Sequence, residues 1–313
     1  MKKFLAAICA VLALTTTAGA VEVAAPSALL MEKETGAILY AKDEHAKLEP
    51  ASVTKVMTIL LTMEAVDSGV LSYDTMVTAS AHACSMGGSQ IWLKENEQMT
   101  VDEMLKAVCV VSANDCAVAL GEAISGSEEA FVERMNQRAK ELGMNDTTFQ
   151  NATGLKTGST DSALYCLSGT AERDGMELIA VIMKDATSAQ RFADAQTLLN
   201  YGFSTYALKH VAPETPLSPV PVTLGTQATV QPVLGDGGTL LLEKAKAGDL
   251  QQTVTLSAGV KAPVALGDQL GMLTVSSGEE VVAEIPLLAG EEVPRITYGQ
   301  MLLRLLRLAL LSD

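Results

Sequence analysis

Histidine is scarce in this 313-residue chain. It has three, and no His/Cys cluster stands at metal-ligand spacing, so zinc chemistry has no ligand set to draw on. Positive charge is also short: 22 Lys plus Arg face 37 Asp plus Glu, a net charge of −15. A nucleic-acid binder needs clustered cations, so a nucleic-acid partner is not expected. Neither common type of glycine-rich phosphate loop occurs. No apolar run is long enough to cross a bilayer comfortably. There is no internal repeat. The chain does have the length for about two domains and, at 48% hydrophobic residues, enough apolar material for real cores; it is no disordered acidic tail.

The two ends carry address-like patterns. Residues 1–20 read as a secretory signal peptide: Lys2 and Lys3, an apolar stretch Phe4 to Leu14, and small residues Ala18-Gly19-Ala20 before a cut at Val21. Cys84, Cys109, Cys116 and Cys166 then remain. Outside the cell they could pair, although the apolar surroundings of the last three suit small buried thiols. At the other end, Tyr298 to Leu311 reads YGQMLLRLLRLALL, with Arg304 and Arg307 three apart and leucines over most of the rest. The pattern predicts a helix lying at a membrane surface, or else docked on the protein's own core or on a partner.

Between these ends the periodicities alternate. A hairpin is expected within Ala28 to Ala41 around Glu34-Thr35-Gly36. After Pro50, Val53, Val56, Met57, Leu60 and Leu61 follow helical spacing. Thr100 and Glu103 form a capping box opening a helix through Val111, and Glu128 to Leu142 predicts another, stopped by Gly143. Leu164–Leu167 and Met176–Met183 read as strands, the second after an Asp174-Gly175 turn, and Ser188 to Leu199 as a helix. Near residue 212 the composition changes: four prolines from Pro213 to Pro221 precede short β-prone runs up to Pro294. The expected organisation is a leader (1–20), a catalytic-type α/β domain (21–211), a small all-β domain (212–294) and an amphipathic terminal helix (295–313).

Three short motifs each occur once: Ser52-Val53-Thr54-Lys55, Ser112-Ala113-Asn114 and Lys156-Thr157-Gly158. Singly they are weak; a cap serine, a capping turn and a hairpin turn explain them as well. In this order and in these contexts they point to nucleophilic catalysis. A serine hydroxyl needs a base, and Lys55, almost one turn after Ser52, shares its face. A free lysine is protonated at neutral pH, so the pair requires burial, a neighbouring cation such as Lys156, or the helix N-terminus to lower its pKa. Ser112 can relay a proton to a leaving amine and the Asn114 amide can hold a substrate carbonyl. Lys156 and Thr157 suit a substrate carboxylate, and Gly158 permits close backbone approach. The backbone N–H groups of Ser52 and Ser159 could form an oxyanion hole. His45, His82 and His210 have no evident partners, and Trp92 reads as a core residue more readily than as a sugar platform.

At these residues the chain resembles the low-molecular-weight penicillin-binding proteins, specifically the D-alanyl-D-alanine carboxypeptidases of serine peptidase family S11. The likeness extends to Pro50-Ala51 and Val56-Met57-Thr58 around the first motif, Val110-Val111 and Asp115 around the second, Asn151-Ala152-Thr153-Gly154-Leu155, Ser159-Thr160 and Arg173-Asp174-Gly175-Met176. Val264 to Asp268 and Leu270-Gly271 are similar to the family's β-rich second domain. The resemblance implies an α/β (α+β) penicillin-binding-protein/β-lactamase-like transpeptidase domain, then a small all-β domain and an amphipathic membrane-anchor helix. It implies catalytic Ser52, Lys55 and Ser112, and substrate-binding Asn114, Lys156, Thr157, Gly158 and Ser159. The expected substrate is the peptidoglycan stem peptide, with β-lactams as inhibitors, the membrane surface as a partner and no metal or cofactor. The expected place is the outer face of a bacterial membrane or its cell wall. One departure stands out. In the family a long segment with helices separates the N-A-T-G-L element from K-T-G, whereas here Gly154-Leu155 serves both, which implies an internal deletion that truncates the helical part. Two other readings stay open: an inactive paralogue acting as a wall-associated binding protein and, further off, a class A β-lactamase, which needs a glutamate-bearing loop not visible here.

Overall fold

A computed structural model describes residues 21–154 and 163–310 of the chain. It begins with strands β1 (Ser27–Glu32) and β2 (Ile38–Lys42), paired antiparallel as the expected hairpin. A 3-10 turn at Ala51–Thr54 leads into helix α1 (Lys55–Asp67). Next come β3 (Met76–Thr78), the one-turn helix α2 (Ala81–Cys84) and β4 (Gln98–Thr100), which pairs with β3. Helices α3 (Val101–Val111), α4 (Asn114–Ser125) and α5 (Glu128–Glu141) follow.

Local chemistry sets these boundaries. Thr100 and Glu103 complete the capping box at the start of α3, each side chain bonding the other's backbone N–H. Ser127 accepts from Ala130 N–H to start α5, and Gly143, at φ +77°, follows its end. Helix α4 is the centre of this layer, with every residue from Asn114 to Gly121 buried. Around it Leu61, Met104, Leu120, Phe131 and Met135 form a dry core at 1% exposure or less. Burying such side chains contributes roughly 1.5–3 kcal/mol each.

The chain then returns to the sheet. Strands β5 (Tyr165–Arg173) and β6 (Met176–Asp185) form a hairpin whose turn residues, Asp174 and Gly175, both have positive φ, as a two-residue turn demands. The sheet order is β2-β1-β6-β5, antiparallel throughout, so β5 is an edge strand. Helix α6 (Ser188–Thr205) lies on this sheet and packs Ala195, Leu198 and Phe203 against Leu30 and Leu178. Its Gly202 makes the approach possible: a Cβ there would stand 2.5 Å from the Leu178 side chain. Both β5 and α6 run beyond the stretches that periodicity predicts: β5 is an edge strand that buries only Cys166, and the last turn of α6 carries Gly202, Ser204 and Thr205, which break the apolar pattern.

Strand β7 (Tyr206–His210) leaves this sheet and pairs with β11 (Thr239–Glu243). In sequence between them are β8 (Val220–Thr223), β9 (Thr229–Val230) and β10 (Pro232–Leu234). Then follow β12 (Leu250–Leu256), β13 (Val260–Lys261), β14 (Gln269–Ser277) and β15 (Glu280–Ala289). From the sheet β10-β15-β14-β12, Leu273, Val275, Ile285 and Leu287 form one core with Val211, while Leu270 and Ala289 form a second with Val220, Val222 and Val230 of the smaller sheet β13-β8-β9. The architecture is therefore mixed α/β with a β-rich C-terminal region. It ends in helix α7 (Tyr298–Leu310), on which Leu302, Leu303, Leu305 and Leu306 are exposed. No helix among the described residues is long and apolar enough to cross a membrane.

Candidate active site

The first motif is built around a left-handed residue. Ala51 has φ +47°, an uncommon conformation for a residue with a Cβ, and it precedes the exposed Ser52. Strain of this kind costs on the order of 1–3 kcal/mol and persists only where surrounding structure enforces it. Gly154 packs closely against this turn. It has φ +72°, and a Cβ on it would fall 1.8 Å from the Ala51 carbonyl oxygen and 2.7 Å from Thr54 Oγ1. The residues 151–154 thus form a strap pressed against the turn that carries Ser52.

Lys55, the first residue of α1, is only 3% exposed. Its Nζ lies 3.2 Å from Ser52 Oγ and donates to the Thr153 carbonyl at 3.0 Å. Burial pushes the amine down to about 8. Burial, one of the three influences expected from the sequence, accounts for this lowering, and Lys55 also stands at the N-terminus of α1, while Lys156 lies outside the described residues. The 3.2 Å pair serves both charge states. A charged amine donates to the hydroxyl; a neutral one presents a lone pair to the hydroxyl proton.

The strap is fixed from several sides. Thr58 Oγ1, one turn after Lys55, donates to the Ala152 carbonyl at 2.7 Å. Asn151 Oδ1 accepts the N–H groups of Thr153 (3.1 Å) and Gly154 (2.6 Å). Asn136 of α5 binds Phe149 through both its N–H and its carbonyl. Consequently the buried face of α1 is partly polar, holding Lys55, Thr58 and Thr62, while Val56 is 52% exposed. This corrects the simple apolar-face expectation: the helix turns toward a backbone strap as well as a core.

The second motif occupies the α3–α4 junction. Ser112 is the left-handed C-cap of α3 (φ +60°) and is half-buried. Asn114 opens α4 but is 3% exposed, and its amide donates to the Gly87 carbonyl at 2.6 Å while its N–H donates to Ser89. The expected amide for a substrate carbonyl is in this conformation spent on organising the 87–93 loop. Asp115, fully buried, accepts the N–H groups of Ile91 and Leu93 at 3.1 Å each. Between them Trp92 is held at φ +58° and 75% exposed. The core reading of Trp92 is overturned, because both neighbouring amides are drawn inward and the indole is turned out. Lys156, Thr157, Gly158 and Ser159 lie outside the described residues, so the third motif has no geometry to report.

Other expectations change as well. His82 does have a partner: its Nε2 is 2.7 Å from Glu128 Oε2, and that hydrogen bond raises its pKa. Cys84, Cys109, Cys116 and Cys166 are free thiols; Cys116 and Cys166 are buried, but Cys109 is exposed. Burial, with Asp115 beside it, pushes the Cys116 thiol up to about 12, which leaves it unreactive. Among the described residues no group of three or more His, Cys, Asp or Glu is arranged to hold a metal ion.

Comparison with known proteins sets this geometry in context. Penicillin-binding protein 5 from Haemophilus influenzae superposes with a TM-score of 0.76 at 24% identity, covering 89% of this chain and all of that one, which establishes a penicillin-binding-protein fold. Penicillin-binding protein D2 from Listeria monocytogenes, solved in its ampicillin-bound form, superposes at 0.53 with 26% identity over 59% of this chain and 99% of its own. A family model described as D-alanyl-D-alanine carboxypeptidase matches residues 14–156, and one for the C-terminal domain of penicillin-binding protein 5 matches residues 207–295. The D-alanyl-D-alanine carboxypeptidase DacF of Bacillus subtilis (strain 168) is 33% identical over 344 residues, covering 90% of this chain and 88% of its own length. DacC of Escherichia coli (strain K12), of the same description, is 25% identical over 332 residues, covering 85% and 83%. The chain belongs to the D-alanyl-D-alanine carboxypeptidases of the S11 peptidase family.

Proposed function

We propose that the protein is a serine D-Ala-D-Ala carboxypeptidase that removes the terminal D-alanine of peptidoglycan stem peptides through an acyl-enzyme on Ser52. The observation that carries this reading is the Ser52 hydroxyl 3.2 Å from a buried amine whose pKa is lowered to about 8. At pH 7 about a tenth of such an amine is uncharged, against roughly 0.03% for an ordinary lysine. Ser52 Oγ attacks the carbonyl of the last peptide bond and Lys55 Nζ takes its proton. The proton passes by way of Ser112 to the departing D-alanine nitrogen. Water, deprotonated in turn by Lys55, then hydrolyses the ester and restores the hydroxyl. Asn114, Lys156, Thr157, Gly158 and Ser159 complete the substrate-binding side. For Asn114 this requires its amide to exchange Gly87 for a substrate carbonyl, or to use its second N–H. β-Lactams acylate the same hydroxyl.

The remaining features are assigned on the same reading. Residues 1–20 are a leader, 21–211 the catalytic domain, 212–294 the β-rich domain and 295–313 an anchor. The exposed leucines of α7, with Arg304 on the opposite side, suit the membrane surface at the outer face of a bacterial cell. An internal deletion before the third motif is supported by two comparisons: the carboxypeptidase model stops at residue 156, and the 344-position alignment to DacF uses only 90% of this 313-residue chain. That shortening also keeps a second reading in view, a wall-associated paralogue without activity.

Labelled penicillin separates the readings. Stable labelling of the folded protein, lost in Ser52→Ala and accompanied by D-alanine release from a pentapeptide, is the expected result. Folded protein that takes no label favours the inactive paralogue, and rapid drug hydrolysis favours a β-lactamase.

A further inference from the structure

We propose that Glu128 is a positioning residue for Lys55, fixing the 151–154 strap from the N-terminus of α5, and that His82 keeps its carboxylate aimed at that strap. The inference rests on the reading of Ser52 and Lys55 above. Its basis is an unbroken run of contacts from the surface to the nucleophile. His82 Nε2 meets Glu128 Oε2 at 2.7 Å. The other carboxylate oxygen, Oε1, accepts the Ala152 N–H at 2.9 Å. One residue on, the Thr153 carbonyl takes an N–H of Lys55 at 3.0 Å, and Lys55 Nζ faces Ser52 Oγ at 3.2 Å.

The division of labour within the strap gives Glu128 its importance. Thr58, which holds the Ala152 carbonyl, sits on the same helix as Lys55, so it cannot by itself fix the strap relative to the helix's surroundings. The bonds from Asn151 Oδ1 to the Thr153 and Gly154 N–H groups stay within the strap. Glu128 reaches the Ala152 N–H from a different helix, and therefore sets where the Thr153 carbonyl stands relative to the amine. A glutamate is suited to this because its two oxygens serve two partners at once. The Glu128 side chain is 14% exposed, so an unpaired carboxylate would be poorly solvated; His82, itself 47% exposed, relieves this without entering the site. Glu122 and Glu129 also face His82 and favour its charged form.

The test measures acylation by labelled penicillin as a function of pH in the full chain. Wild type, Glu128→Ala, Glu128→Gln and His82→Ala are compared. In Glu128→Ala the strap loses the tie between its Ala152 N–H and the start of α5. Displacing a reacting group by about 1 Å costs roughly 100-fold in rate, and that is the expected loss in the plateau. The midpoint of the profile also moves below the wild-type value, because the Thr153 carbonyl no longer favours the charged amine. Glu128→Gln keeps an oxygen for the Ala152 N–H and restores most of the rate. His82→Ala shows a smaller loss in the same direction. A folded Glu128→Ala with wild-type plateau and midpoint overturns the proposal, as does a Gln variant no better than Ala. If Glu128→Ala does not fold, unchanged plateau and midpoint in the surface variant His82→Ala overturn it. A wild-type protein that takes no label refutes the Ser52 reading instead. The strap's anchoring is then read from exchange of the Ala152 amide: exchange slow in the parent and faster in Glu128→Ala or His82→Ala supports the anchor, and equal rates in parent and variants overturn it.

Discussion

Replacing Lys55 by methionine removes the titrating amine and keeps a long, unbranched side chain in its cavity. Folded Lys55 gives up its proton at about 8, whereas the unfolded lysine holds its proton to the ordinary value of 10.5. Between these values the unfolded chain binds more protons, so stability contributed by this group rises with pH across that window. Below pH 8 the buried charge destabilises the fold by about 3 kcal/mol, and by pH 10.5 that penalty is nearly gone. The amine is 3% exposed, so solvent screening discounts this figure little. The methionine variant has no such window. It leaves the Thr153 carbonyl without the Lys55 N–H, a pH-independent loss of about 1–3 kcal/mol. At pH 7 the two terms offset, and the variant is about as stable as its parent while unable to acylate. At pH 10.5 it is less stable by about 1–3 kcal/mol. Urea unfolding followed by circular dichroism at constant ionic strength, from pH 6 to 10.5, measures both chains. The difference between the curves cancels every other titrating group. Parallel curves through pH 8–10.5 would refute the account of Lys55 as a desolvated amine.

Other outcomes are expected from the same geometry. Acylation should rise about tenfold between pH 7 and pH 9 and then level off, since the neutral fraction of an amine at about 8 does so; a rate flat across that range excludes Lys55 as the base. Gly154→Ala should lower acylation by roughly 100-fold with the fold retained by circular dichroism, because the added methyl must move the strap or the Ser52 turn. Thr58→Val should destabilise the protein by about 1–3 kcal/mol in urea, by leaving the buried Ala152 carbonyl without its hydroxyl donor. Deleting residues 298–313 should release the processed protein from membrane vesicles and leave hydrolysis of a soluble peptide unchanged; continued vesicle binding contradicts the role given to α7.

The sequence revealed some parts of this structure and concealed others for identifiable reasons. The capping box at Thr100, the Asp174-Gly175 turn and the α5 stripe of Phe131, Met135 and Ala139 were all legible, because short-range chemistry decides them. The Ser52–Lys55 pairing was legible too, three residues apart on one turn. What stayed hidden depends on groups distant in sequence. The Thr153 carbonyl is 98 residues from Lys55, and nothing in a backbone oxygen distinguishes it in a sequence. Glu128 looked like an ordinary acidic first-turn residue, and His82 like a solvated one, although they are 46 residues apart and bonded. Trp92 misled for the opposite reason. Large aromatics are usually inside, and only the capture of both flanking amides by Asp115 turns this one out.

That outward indole is the sole tryptophan of the chain. All of the protein's red-edge ultraviolet emission therefore originates at one point, on the residue between the two amides held by the buried aspartate beside the second motif. The molecule carries a native optical probe there, needing no dye and no added cysteine. Its polarisation reports how firmly the 87–93 loop is gripped, separately from any change in the β-rich half.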